Sequence, residues 1–244
     1  MPEIFMYFRE LQSMMTEQHV FEIDKDIFRK NLIKYTRKAF LMLPKLENPR
    51  ILDIGCGSGV PTIELARLCN GQIVGVDINR TLLDKLVQKI KKEGVSDRVR
   101  TLKCSLFELD FPDESFDIIW SEGSIFTIGF GRGLQEWERF LKPTGFLVIH
   151  DELKNMTEKW EQISRSGFFM IGHFELPGDT WWKEYYMPLE EYLKKIRIGY
   201  SDPAVLSVCD TEQQEIDMFK KNPNQYGSVF FIMQKKWNIT SEVP

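Results

Sequence analysis

Ile51-Leu-Asp-Ile-Gly-Cys-Gly-Ser-Gly59 is the stretch on which the fold turns. A short apolar strand runs into glycines at 55, 57 and 59, and Pro61 follows, a residue suited to the first turn of a helix. Strand, glycine-rich turn and helix together open a βα unit. Glycine reaches backbone angles closed to other residues and leaves bare backbone against which a ligand can lie. The same glycines also suit a tight βα turn that holds nothing, so the neighbouring residues decide.

Three features of the neighbourhood point to a ligand. Asp53 stands two residues before Gly55, where a dinucleotide-binding turn usually has an apolar side chain. The next apolar run, Ile73-Val-Gly-Val-Asp77, ends in an acid eighteen residues after Gly59. A carboxylate at that point can accept hydrogen bonds from both hydroxyls of a ribose. Finally, the glycine spacing is Gly-x-Gly-x-Gly, not the Gly-x-Gly-x-x-Gly whose helix N-terminus faces a pyrophosphate. S-adenosyl-L-methionine has no phosphate; it carries a sulfonium and an ammonium, which acidic residues around the turn suit. It is the expected cofactor.

Outward from this turn, residues from about 50 to 151 alternate apolar runs with amphipathic helical patterns. The runs are Arg50–Ile54, Gln72–Asp77, Val99–Lys103, Phe116–Trp120 and Gly145–His150. Leu82, Leu83, Leu86, Val87 and Ile90 share one helix face, with Gly94 as its expected C-terminal cap. Such repetition predicts a doubly wound α/β domain on a parallel sheet. Before it, Phe28, Leu32, Tyr35, Ala39 and Met42 recur at helical spacing, and Pro44 to Pro49 closes the stretch. After it come two β-rich runs, Phe168–Leu176 and Ser228–Gln234, with polar helical stretches near 188–198 and 210–221 between them.

Asp53-x-Gly55-x-Gly57-x-Gly59 with Asp77 resembles the class I S-adenosylmethionine-dependent methyltransferase superfamily. So do Phe111-Pro-Asp-Glu-Ser-Phe-Asp117 with Ile118-Ile-Trp120, and Phe140-Leu-Lys-Pro-Thr-Gly-Phe-Leu-Val148; the match covers about residues 50 to 151. The resemblance implies a Rossmann-like sheet of seven strands, mostly parallel with the last antiparallel, and helices on both faces. It implies that Gly55, Gly57 and Gly59 line the methionine moiety, that Asp77 holds the ribose and that Ser105 and Leu106 flank the adenine, with Asp53, Cys56 and Ile78 as further cofactor-binding residues. Many relatives have an aspartate where Ser105 stands. Residues 1–49 would be a helical cover and 50–244 the methyltransferase domain, with a helical and aromatic insertion at about 177–226. Ser121-Glu-Gly-Ser-Ile-Phe-Thr-Ile-Gly-Phe130 with Trp181-Trp-x-x-Tyr-Tyr186 resembles a narrower bacterial and archaeal subgroup of small-molecule type, whose substrates are largely unassigned.

Methyl transfer from a sulfonium depends mainly on alignment and exclusion of water, and needs a base only if the nucleophile must lose a proton. Glu122 follows the fourth run, at the edge where open α/β sheets bind ligands. It is a candidate base or partner for a substrate or cofactor cation; the alternative is a loop carboxylate in solvent or capping a helix. His150, ending the fifth run, titrates near neutrality and is the second catalytic candidate; an imidazole merely hydrogen-bonded at a strand end is the alternative. Trp181, Trp182, Tyr185 and Tyr186 would enclose a substrate or pack a core of their own. Phe5, Tyr7 and Phe8 could belong to a lid. No metal is expected, since the carboxylate pair and asparagine of catechol-type enzymes are not visible.

A net charge of −4 disfavours nucleic-acid substrates, which usually call for a basic patch. The absence of a long apolar run or basic-then-apolar leader predicts a cytoplasmic protein without a membrane partner. The four cysteines, 56, 69, 104 and 209, lack metal spacing and are expected as free, mostly buried thiols. The leading expectation is methyl transfer to a small-molecule acceptor. Its rivals are a cofactor-binding module without turnover, a protein or RNA methyltransferase, and a nicotinamide-dependent oxidoreductase. Oligomeric state is not legible.

Overall fold

The apolar runs become strands because they can bury both faces. In the strand β1 (Arg50–Ile54), Ile51 faces one core and Leu52 the other, and neither is exposed. Complete burial of such a side chain contributes about 1.5–3 kcal/mol. The computed structural model describes residues 21–237, so Phe5, Tyr7 and Phe8 lie outside the described residues.

Seven strands form one sheet: β1, β2 (Gln72–Asp77), β3 (Val99–Lys103), β4 (Phe116–Glu122), β5 (Leu141–Glu152), β6 (Phe168–Glu175) and β7 (Ser228–Lys235). Their order is β3-β2-β1-β4-β5-β7-β6, and β7 runs antiparallel to both neighbours. The chain winds outward from β1 to β3, then returns to begin the other half at β4. That reversal leaves a crevice at the carboxyl ends of β1 and β4, where ligands of open α/β sheets bind. The mostly parallel sheet with a last antiparallel strand is as expected.

Helices α1 (Asp26–Arg29) and α2 (Ile33–Leu41), joined by a 3-10 turn, precede the sheet. Helices α3 (Val60–Leu68) and α4 (Arg80–Lys92) share one face of the sheet with α2, through Ala39, Ile63, Leu86 and Ile90. Helices α5 (Phe130–Glu138) and α6 (Met156–Arg165) cover the other through Leu134, Trp137 and Ile163. Gly94 has φ +67° just beyond α4, the left-handed residue expected after a helix end.

Between β6 and β7 lie a π-turn (Trp182–Tyr186), α7 (Met187–Gly199) and α8 (Pro203–Lys221). They share a third core with the start of the described chain: Ile23 and Phe28 pack with Tyr185, Leu189, Leu193 and Phe219. This assembly of two chain segments, over the carboxyl edge of the sheet, is termed the roof below.

Several boundaries differ from expectation. The strand β4 extends to Glu122, because its last residues keep pairing with Ile149 and His150. The strand β5 begins at Leu141 rather than Gly145, with Leu141 paired to Phe116 across a register shift. Helix α8 starts at Pro203, not near 210: the Asp202 carboxylate caps it, accepting from the Ala204 amide at 2.8 Å. Of the four free thiols, Cys56 and Cys209 are buried and Cys69 and Cys104 half-buried.

Candidate functional site

The glycine turn after β1 is built from three left-handed residues, Gly55 (φ +73°), Gly57 (φ +54°) and Gly59 (φ +80°). Their surroundings separate their roles. A Cβ on Gly55 would meet Ser124 at 2.3 Å, and one on Gly59 would meet Leu86 at 2.2 Å, so both are glycine for packing as well as for the turn. A Cβ on Gly57 would find only Leu82, at 4.0 Å. Gly57 instead lines a cavity of about 490 Å³ at the crevice. That is the bare backbone a ligand needs.

The turn is anchored from below. The amides of Gly55 and Cys56 donate to the Val76 carbonyl at 2.8 and 3.0 Å. The Ser124 hydroxyl donates to the Ile54 carbonyl at 2.7 Å. The Asp77 carboxylate, at the end of β2, accepts from the Gly57 amide and from the Asn79 amide, each at 2.8 Å. Beyond it the Cys104 amide donates to the Asp77 carbonyl at 3.1 Å, which places Ser105 beside Asp77. Leu106 is buried there and Ile78 is exposed.

Two carboxyl groups on the cavity wall are held in unusual states. Asp53 is buried and accepts from the Thr62 hydroxyl at 2.6 Å. Burial raises its pKa to about 7, against the pull of the Thr62 bond and with help from the nearby Asp77 charge. Glu122 accepts from Trp120 Nε1 at 2.8 Å and from the Thr36 hydroxyl at 2.9 Å. Its pKa also rises to about 7, chiefly by burial, and the Asp53 charge adds to the rise. Both acids would ionise more readily beside a cation.

His150 completes the inner wall. Its ring lies parallel to Phe230 at 4.3 Å and to Trp181 at 6.3 Å between centroids. Burial lowers its pKa to about 4, so the imidazole is neutral at physiological pH. Its Nε2 is buried with no hydrogen-bond partner among the described residues. Asp151, also on the wall, is paired with the buried Lys159 at 2.7 Å. Burial raises the Cys56 thiol, which leaves it a poor nucleophile.

Asp53, Gly55, Cys56, Gly57, Glu122, His150, Trp181 and Tyr186 therefore share one cavity. Asp77, Ile78, Ser105 and Leu106 sit at the adjoining ends of β2 and β3, and Gly59 opens α3. Trp182 and Tyr185 do not line the cavity: Trp182 stacks on Phe219 and Tyr185 packs against Phe28, both within the roof core. Sequence reasoning missed Thr36, Ser58 and Tyr226. Nothing local marks Thr36 as the donor to a residue eighty-six positions away. Among the described residues no group of three or more His, Cys, Asp and Glu could hold a metal ion, and no helix is long and apolar enough to cross a membrane.

Residues 52–149 match the family model described as a methyltransferase domain. The 27-O-demethylrifamycin SV methyltransferase of Amycolatopsis mediterranei is 33% identical over 113 residues, 46% of this chain and 42% of that protein. The matched region thus spans less than half the length of that relative. Among solved structures, the cyclase SpnF superposes with a TM-score of 0.70 at 21% identity, covering 84% of this chain and 81% of that one. A putative sarcosine dimethylglycine methyltransferase from Galdieria sulphuraria gives 0.69 at 16% identity, with 85% and 86% covered. Residues 52–149 are thus similar to a methyltransferase domain, and the chain as a whole shares its fold with these solved structures.

Proposed function

We propose that the protein is an S-adenosylmethionine-dependent methyltransferase acting on a small-molecule acceptor. One observation carries the reading: a glycine turn with an open position at Gly57 shares a cavity with two carboxyl groups whose burial leaves them short of a cation. The donor set fits adenosylmethionine. Asp53 and Glu122 would face its positive charges, the Gly57 backbone its methionine portion, Asp77 its ribose, and Ser105 and Leu106 its adenine. When bound, the cofactor supplies a methyl group activated by the sulfonium for in-line displacement.

This chain's own residues orient the acceptor, keep water out and receive a proton. Trp181, Tyr186 and Phe230 present flat apolar surface to the acceptor. A neutral His150 can accept a hydrogen bond from an acceptor hydroxyl and take its proton as the bond to the methyl forms. The relative that methylates a demethylrifamycin supports a small molecule as acceptor, and the acidic net charge supports it against nucleic acid. Free, unpaired cysteines support a reducing cytoplasmic setting.

A second reading is favoured by the likeness to SpnF, which is a cyclase. On that reading the cofactor site is kept and the methyl group is not transferred. Incubation with adenosylmethionine labelled in the methyl group and a panel of hydroxylated and amine-bearing small molecules separates the two. Label appearing in an acceptor supports methyl transfer; cofactor binding with an acceptor altered but unlabelled supports the second reading.

A further inference from the structure

Two adjacent residues of α1's start face different bodies. Lys25 points into the roof, where its ammonium meets Glu212 at 2.8 Å and Glu215 at 3.2 Å, both on α8. Asp26 points the other way, into the cofactor turn. The Ser58 hydroxyl, from Gly57-Ser-Gly59, donates to Asp26 Oδ1 at 2.6 Å. Lys89 of α4 pairs with Asp26 Oδ2 and also donates to the Ser58 carbonyl at 2.7 Å. Asp26 and Ser58 are both buried, 5% and 4% exposed. Asp26 thus bonds the roof directly to the glycine turn.

The roof has the means to respond as one body. Its core is separate from the two cores that flank the sheet, and it joins Ile23 and Phe28 to side chains of α7 and α8. Its other ties to the sheet body include Glu22 with Lys85 at 2.7 Å and Glu184 with Lys34, both open to solvent, and Trp181 Nε1 donating to Ser228 Oγ at 3.1 Å. A charge-assisted, buried contact is stronger than such ties, and losing one partner leaves an uncompensated charge. A ligand that fixes the backbone at Gly57 also fixes Ser58, and with it the acceptor to which Asp26 is bound.

We infer that Asp26 is a positioning residue that couples occupancy of the cofactor turn to closure of the roof over the acceptor cavity, with Lys25 carrying the coupling on to α8. The inference rests on the reading of the turn as a cofactor site. Cofactor bound at the turn holds Ser58, Ser58 and Lys89 hold Asp26, and Lys25 holds α8 down. Occupancy of the turn thereby strengthens the closure of the acceptor cavity from above. Coupling of this kind requires an element whose equilibrium both sites bias, and the roof is that element.

Hydrogen–deuterium exchange of the full chain, with and without saturating S-adenosylhomocysteine, tests this. No residue of α8 lines the cavity, so direct contact with the ligand cannot protect that helix. In the wild-type protein the ligand should slow exchange severalfold both at the glycine turn and across α8. In Asp26→Ala, at ligand concentrations saturating by calorimetry, the turn should still be protected and the protection of α8 should be lost. Ser58→Ala should behave the same way and serves if Asp26→Ala does not fold. Lys25→Met should keep protection at the turn and lose it at α8. If the ligand leaves α8 unchanged in the wild type, or protects it equally in these variants, the coupling is overturned. Absence of binding heat in the wild type would instead overturn the cofactor reading beneath it.

Discussion

At the scale of single residues, the site is governed by what burial does to charge. Asp53 and Glu122 have pKa values of about 7, so in the empty protein each carries a proton much of the time at neutral pH. A cationic ligand binds the ionised forms, so each carboxyl group must release its proton for the full interaction. Affinity for S-adenosylmethionine should rise with pH, by up to about tenfold per unit per carboxyl group below pH 7, and level off above about pH 8. Calorimetry across that range checks this, and Glu122→Gln should shallow the slope. His150 has its pKa shifted in the opposite direction. Its folded pKa of about 4 lies below the ordinary 6.5, so its contribution to stability is complete above 6.5 and is lost as pH falls toward 4. That loss is about 3 kcal/mol. His150→Phe, which keeps the stack on Phe230, should remove most of it; denaturant unfolding at pH 7 and pH 4.5 would reveal the difference.

At the scale of elements, the three glycines of the turn should separate by substitution. Gly59→Ala combines left-handed strain with a clash against Leu86, and should destabilise the fold by about 2–4 kcal/mol. Gly57→Ala bears the strain without the clash, about 1–2 kcal/mol, and its larger effect should fall on cofactor affinity. Unfolding curves and ligand titrations on both variants distinguish these outcomes. The same elements mark what sequence could disclose. The strands β1 and β2 begin and end where their apolar runs do, because runs buried on both faces end where the polarity changes; the edge strand β3, with only Val99 buried, also keeps its expected bounds. The early start of β5 was not legible, since it depends on Leu141 finding Phe116 across a register shift. The start of α8 was legible in Asp202-Pro203, a capping acid before an N1 proline, and was overlooked.

At the scale of the whole molecule, the glycine turn, Asp77, Glu122 and His150 could be found from sequence because each lies at the end of a strand, and a doubly wound sheet gathers strand ends at one edge. The roof could not. Its core joins residues 21–28 to residues 181–226, and no local pattern announces that partnership. Hence Trp182 and Tyr185 read alike with Trp181 and Tyr186 in sequence, although only the second pair reaches the cavity. Thr36, which lies on α2 under the roof, escaped notice for the same reason. The central claim, that this edge is an adenosylmethionine site, is tested most directly by calorimetric titration of the protein with S-adenosylhomocysteine, beside NADH as a control and with Asp77→Ala in parallel. The expected result is micromolar binding of the first ligand alone, weakened in the variant by about 1–3 kcal/mol as a charged acceptor is lost. No binding, a preference for NADH, or an affinity untouched by Asp77→Ala would contradict it.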